Sequence, residues 1–218
     1  MLKAIDRFTH LNIKAREGSS RKTVTSSAWT VLSATLAALV VGTLALLFSC
    51  VDDDESPFAR RPAFFRFSPV TAAPKTLLPA LSSPGEWCTI TLSTTSYNFR
   101  SATGKTDTYP QTQLDAYGRP TWVSGLIVGT PTVPELGFSD FAPVCYDAVC
   151  PYCFEDGGIT RQVVFTDVAL GRVGCTRCRR TYDVNNGGIV IEGATSPRDP
   201  RLYRYRCIYS NDAFVVQN

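Results

Sequence analysis

Histidine is almost missing from this sequence: one residue, His10, in a chain of 218. It precedes a long apolar run at residues 28–50, so everything beyond that run lacks imidazole. A Ser-His-Asp or Cys-His mechanism is excluded there, and so is an imidazole ligand to a metal. A basic excess is missing too. Of the 22 basic residues, Lys3, Arg7, Lys14, Arg16, Arg21 and Lys22 come before the run, against Asp6 and Glu17 among the 19 acidic ones. From Cys50 onward 16 basic residues therefore face 17 acidic ones, and the formal charge of +3 leaves no footprint for nucleic acid. Long amphipathic helical patterns and internal repeats are absent from residue 85 to the end.

What is present begins with an address. Residues 28–50 are uncharged and apolar, preceded by Arg21 and Lys22, and long enough to span a bilayer as a retained anchor. The end of the run points elsewhere: Leu47-Phe48-Ser49-Cys50 resembles a bacterial lipobox, whose cysteine is lipidated and becomes the new N-terminus. The following Val51-Asp52-Asp53-Asp54-Glu55 resembles the acidic export signal of surface lipoproteins in Bacteroides-like bacteria. These resemblances imply a signal peptide over residues 1–50, a membrane attachment through lipidated Cys50, and an extracytoplasmic location at the outer membrane or cell surface. The stretch ahead of the run is long for a signal peptide, which implies a start site further downstream.

Residues 51–84 read as an acidic and proline-rich tether. Prolines at 57, 62, 69, 74, 79 and 84 favour extended backbone and forbid long helices. Phe64-Phe65-Arg66-Phe67 is more aromatic than a linker needs and suits an edge strand docked on the domain. From Gly85 the pattern turns into short β-rich runs at 87–92, 97–100, 122–128, 141–147 and 162–168, punctuated by turn residues. Further runs at 180–184, 189–193, 202–209 and 213–216 are joined by Asn185-Asn186-Gly187-Gly188 and Ser210-Asn211-Asp212, both hairpin turns. The expected fold is an all-β, antiparallel domain over residues 85–218.

Two cysteine pairs mark its centre. Cys150-Pro151-Tyr152-Cys153 is followed, after 21 residues, by Cys175-Thr176-Arg177-Cys178. Each C-x-x-C folds as a tight knuckle, and two knuckles brought together present four soft thiolates, the ligand set of zinc-ribbon-like sites.

The surrounding residues resemble the Rieske iron-sulfur family. Cys145-Tyr146-Asp147-Ala148-Val149-Cys150-Pro151 is similar to its first strand and cluster loop, and Cys175-Thr176-Arg177-Cys178 with Tyr182-Asp183-Val184 and Gly187 to its second. Glu192-Gly193, Pro200 and Leu202-Tyr203-Arg204-Tyr205 follow in the order of the closing strands. The resemblance implies a small Rieske-like β fold, but Rieske loops carry two histidine ligands. Here Tyr152 stands in place of the first and Cys178 in place of the second, so any site must be Cys150, Cys153, Cys175 and Cys178 alone.

Four thiolates suit a structural Zn²⁺ or a [2Fe-2S] cluster. The zinc reading makes the protein non-catalytic, because a closed four-coordinate site has no open position and serves to stabilise a thin fold. The cluster reading makes it an electron carrier for a redox or surface protein partner. In an oxidising compartment the four could instead pair as disulfides. Cys150-Pro151-Tyr152-Cys153 also matches the active tetrapeptide of glutaredoxins, which needs a helix after the first thiol. Phe154 to Gly158 is a poor helix start because of its paired glycines. Cys88, Cys145 and Cys207 remain: two could pair and one stay free and buried. Arg177, Arg179 and Arg180 read as a solvated basic tip.

Overall fold

A computed structural model of the chain describes residues 56–113, 118–134 and 141–218. The apolar run, Cys50 with its expected lipidation and the acidic segment after it lie outside the described residues. Among the described residues, no helix is long and apolar enough to cross a membrane.

Strands dominate, as the short alternating runs require. In chain order they are β1 (Phe64–Phe67), β2 (Trp87–Leu92), β3 (Ser96–Ser101), β4 (Thr106–Pro110), β5 (Leu126–Gly129) and β6 (Val144–Asp147). After these come β7 (Val164–Asp167), β8 (Arg172–Gly174), β9 (Thr181–Asp183), β10 (Ile189–Glu192), β11 (Arg204–Ser210) and β12 (Ala213–Gln217). Only two short α-helices occur among the described residues, α1 (Leu77–Ser82) and α2 (Pro151–Gly157).

The strands form two antiparallel sheets, one of eight in the order β1-β12-β11-β6-β5-β2-β3-β4 and one of four in the order β10-β9-β8-β7. Strands β6 and β11 are neighbours in the large sheet, with Cys145 opposite Tyr205 and Tyr146 opposite Arg204. The whole four-stranded sheet is inserted between them in sequence. Both ends of the insertion are thereby held one strand spacing apart.

The central strands are buried on both faces, so their side chains feed two cores by simple alternation. Leu126 and Val128 of β5, Cys145 of β6 and Cys88 and Ile90 of β2 point into the first core. Ile127, Val144, Tyr146 and Trp87 point the other way, against Val173, Tyr182 and Val184 of the inserted sheet. The large sheet curls over the first core until its ends meet. The Phe67 ring of β1 lies 4.7 Å from Phe99 of β3 and 5.1 Å from Tyr109 of β4, at the opposite end of the strand order.

The proline-rich segment is no tether. Residues 56–84 belong to the same compact unit as the rest of the described chain. The docked strand suggested by its aromatic run is present: β1 pairs with β12 from Phe64 opposite Gln217 to Phe67 opposite Phe214. Phe65, Phe67, Val70, Leu77 and Leu81 are core residues. Proline spacing disfavours long helices but admits α1, in which Pro79 occupies the first turn, where backbone N–H groups have no intrahelical acceptor. The Thr130 hydroxyl donates to the Ala80 carbonyl at 2.9 Å and fixes that helix to the end of β5.

The remaining strand expectations hold with shifted ends, as where β3 and β12 run past the expected runs, while β4 and β8 lie outside any of those runs. The turn between β11 and β12 is the two-residue kind, with Asn211 and Asp212 both at positive φ (51° and 57°).

Candidate metal centre

The first knuckle grows from the end of β6. Asp147, wholly buried, accepts hydrogen bonds from the N–H groups of Val123 (2.7 Å), Ser124 (3.2 Å) and Val149 (2.9 Å) and from the Tyr205 hydroxyl (3.1 Å). One carboxylate thus ties together the approach to β5, the start of the knuckle and β11. Burial pushes its pKa up, and those four donors pull it back only in part. Beyond it Val149 bridges Gln162, and the Cys150 N–H donates to the Arg161 carbonyl at 2.7 Å.

Cys150 then sits immediately before α2, with Pro151 at its first position, where its fixed φ suits a helix start. The paired glycines, expected to prevent a helix here, end one instead: Gly158 adopts the left-handed conformation (φ 67°) that closes a helix C-terminus. A glutaredoxin-like thiol would need a lowered pKa, yet burial pushes the Cys150 thiol well up despite the Tyr182 hydroxyl bonded to it.

The second knuckle is the turn after β8. The Cys175 N–H donates to the Arg180 carbonyl and the Arg179 N–H to the Cys175 carbonyl, both at 2.9 Å, with Arg179 at φ 60°. The Arg161 guanidinium crosses from the connecting chain to the Thr176 hydroxyl at 2.8 and 3.1 Å.

The fold brings together all four cysteines singled out from the C-x-x-C pairs. Their Sγ atoms lie within 4.8 Å of one another. The contacts join one knuckle to the other: Cys150 to Cys178 at 3.5 Å and Cys153 to Cys175 at 3.7 Å. Cys150, Cys153 and Cys175 are buried, and Cys178 is partly exposed. Without a cation four such sulfurs cannot all ionise. Burial moves the Cys153 thiol up to about 11. Burial would also raise Cys178, but the Arg180 N–H and the neighbouring thiols outweigh it and set that thiol below its ordinary value. A cluster of this donor type and spacing can hold a metal ion.

Three neighbours of the cluster take roles that the sequence reading did not assign them. The Tyr182 hydroxyl lies 3.3 Å from the Cys150 sulfur. Asp147 stands three residues before Cys150. Arg180, read as solvated, is 3 % exposed and packed between Tyr152 and Asp199. Arg177 and Arg179 are exposed as expected.

The other cysteines among the described residues are unbridged. Cys88 and Cys145 both stand opposite Val128, from opposite sides, so they are two strand spacings apart, beyond disulfide reach. Cys207 is diagonal to Cys145 on β11, and its thiol is turned to the Pro143 carbonyl at 3.2 Å.

The chain matches no protein-family model, no curated protein and no solved structure.

Proposed function

We propose that this is a non-catalytic, extracytoplasmic protein whose Rieske-like β domain carries one structural Zn²⁺ on Cys150, Cys153, Cys175 and Cys178. The observation that carries the reading is the mutual spacing of the four sulfurs, all within 4.8 Å. Four ligands at a Zn–S distance of about 2.3 Å from one ion stand about 3.8 Å apart at the corners of a tetrahedron. The two cross-knuckle distances, 3.5 and 3.7 Å, are close to that edge. A binuclear cluster divides its thiolates into two pairs, one on each iron, and sets the pairs further apart. All four cysteines being ligands, no coordination position is left for substrate, and the chain beyond Cys50 supplies no histidine as a general base. The metal would cross-link the two knuckles, adding stability to an inserted sheet of three- and four-residue strands.

The second reading is a [2Fe-2S] electron carrier in the same pocket. It is favoured by the Tyr182 hydroxyl at the Cys150 sulfur, since hydrogen bonds to sulfur are a lever on cluster potential.

Metal analysis and a visible absorption spectrum of the full chain, purified without oxygen, separate the two. One zinc and no colour is the expected result. Two irons with absorption bands that bleach on reduction would replace the first reading with the second. Metal-free protein with no titratable thiols in the knuckles would sink both.

The attachment to a membrane is proposed on sequence alone, from Leu47-Phe48-Ser49-Cys50 at the end of the apolar run and the acidic residues behind it. Mass spectrometry of the mature N-terminus should find a diacylglyceryl group on Cys50. An unmodified Cys50 within an uncleaved chain would leave a transmembrane anchor in its place.

A further inference from the structure

Arg180 is a buried cation beside the second knuckle. Its Nε donates to the Asp199 carboxylate and its Nη2 to the Thr195 hydroxyl, both at 2.9 Å. Its guanidinium carbon lies 3.2 Å from the centre of the Tyr152 ring, which belongs to the first knuckle. The Arg180 carbonyl accepts the Cys175 N–H. The Arg180 side chain and its backbone N–H both favour the ionised form of Cys178, the one of the four cysteines that is partly exposed. The residue therefore bonds one cysteine of its own knuckle, acts electrostatically on the other and packs on the middle of the first knuckle.

Taking a guanidinium out of water is costly, and an ion pair with one carboxylate often no more than offsets that cost. A second negative group makes the burial intelligible. Four thiolates around a divalent cation carry a net charge of minus two, and Arg180 is held against them by Asp199 and by the face of Tyr152.

We propose that Arg180 is a positioning residue of the metal centre, which holds the Cys178 thiolate in the coordinating geometry, offsets the charge of the tetrathiolate and thereby limits the rate at which the metal leaves. This rests on the tetrathiolate metal reading. Asp199 and Thr195 aim the guanidinium, and Tyr152 closes over it, so the four act as a latch across the one partly open side of the site.

The test uses the full chain and the variants Arg180→Gln, Arg180→Lys and Asp199→Asn. Metal content of the unaltered protein is measured first. The rate of zinc transfer to a chromogenic chelator and the thiolate-to-metal absorption of the Co²⁺-loaded protein are then compared at equal folded fraction. Arg180→Gln should bind one metal, release it about tenfold faster and shift the Co²⁺ band, as loss of an outer-shell partner does. Arg180→Lys, which keeps the charge but not the planar fork, and Asp199→Asn, which frees the fork, should fall between. Release rates and Co²⁺ bands identical to the unaltered protein, with only the melting temperature lowered, would make Arg180 a loop fastener and overturn the proposal. If Arg180→Gln does not fold, unchanged rates in the other two variants overturn it equally. An unaltered protein that takes up neither metal would overturn the tetrathiolate reading and this proposal together, and would do so before any variant is examined.

Discussion

The phenol oxygen of Tyr182 lies 3.3 Å from the sulfur of Cys150, and both residues are wholly buried. Burial, and then the bond to this thiol, pushes the phenol far above its ordinary range, so it remains a donor across the working pH range. Tyr182→Phe keeps the ring packed against its neighbours and removes only the donor. It should retain a full metal complement and lose about 1.5–3 kcal/mol, the usual value of a hydrogen bond to a charged group. Urea midpoints with parallel metal analysis check this. An unchanged midpoint would mean that the phenol does not bond the sulfur.

Serine at Cys150, Cys153, Cys175 or Cys178 should each abolish stoichiometric metal binding. The fall in melting temperature should be on the order of 10 °C, because metal binding energy in such sites is folding energy. Four variants melting with the unaltered protein would show that the cluster holds nothing of consequence.

Asp147→Asn replaces one of two accepting oxygens with a donor, facing the three backbone N–H groups and the Tyr205 hydroxyl that the carboxylate now satisfies. At least one buried N–H is then left unpaired, at a cost of about 2–3 kcal/mol. Chemical denaturation at pH 7 measures it. Because Asp147 also orients the start of the first knuckle, metal release should quicken in the same variant.

Residues 56–84 should prove indispensable. A chain beginning at Gly85 lacks β1 and α1, removes Phe65, Phe67 and Leu77 from the core and leaves the β12 edge unpaired. It should be insoluble or unfolded. Within the full chain, Phe65→Ala should cost about 3–5 kcal/mol, the range for a buried aromatic. A cooperative melt from the shortened chain would return this segment to the status of a tether.

Alkaline pH should destabilise the fold through Cys88. Burial holds this thiol up at about 12, with the Thr76 hydroxyl offsetting part of the shift, against an ordinary value of 9.0. The folded form keeps its proton where the unfolded chain has lost it. This group's contribution is therefore intact below pH 9 and is lost as pH rises towards 12, by up to about 1.4 kcal/mol per pH unit. Urea midpoints at pH 7, 9 and 10.5 should fall along that limb, and Cys88→Ala should make it shallower, the remaining slope coming from Cys145 and Cys207, which burial holds up in the same way.

Legibility followed the range of the interactions involved. The strand from Trp87 to Leu92, the two late hairpins and the aromatic docking strand carry local signals, alternation and turn residues, which survive intact in the fold. The three-residue strand β8 carries none, since Arg172-Val173-Gly174 is too short for alternation to register. Gly157-Gly158 misled because propensity describes helix interiors, whereas a glycine in the left-handed region belongs just past a helix end.

By itself the sequence determined the all-β class and which four cysteines would cluster. Both follow from residue type and spacing along the chain: only these four of the cysteines stand in C-x-x-C pairs, and no histidine follows residue 10. Only the tertiary structure decided that Cys150 and Cys178, 28 positions apart, would stand 3.5 Å from each other. That approach depends on β6 and β11 pairing across the whole insertion, and on Asp147, Tyr182 and Arg180 being buried where their partners wait. Spacing along a chain says which groups are available; the energy of burying a charge or a hydroxyl depends on what surrounds it, and that is set only when distant strands meet.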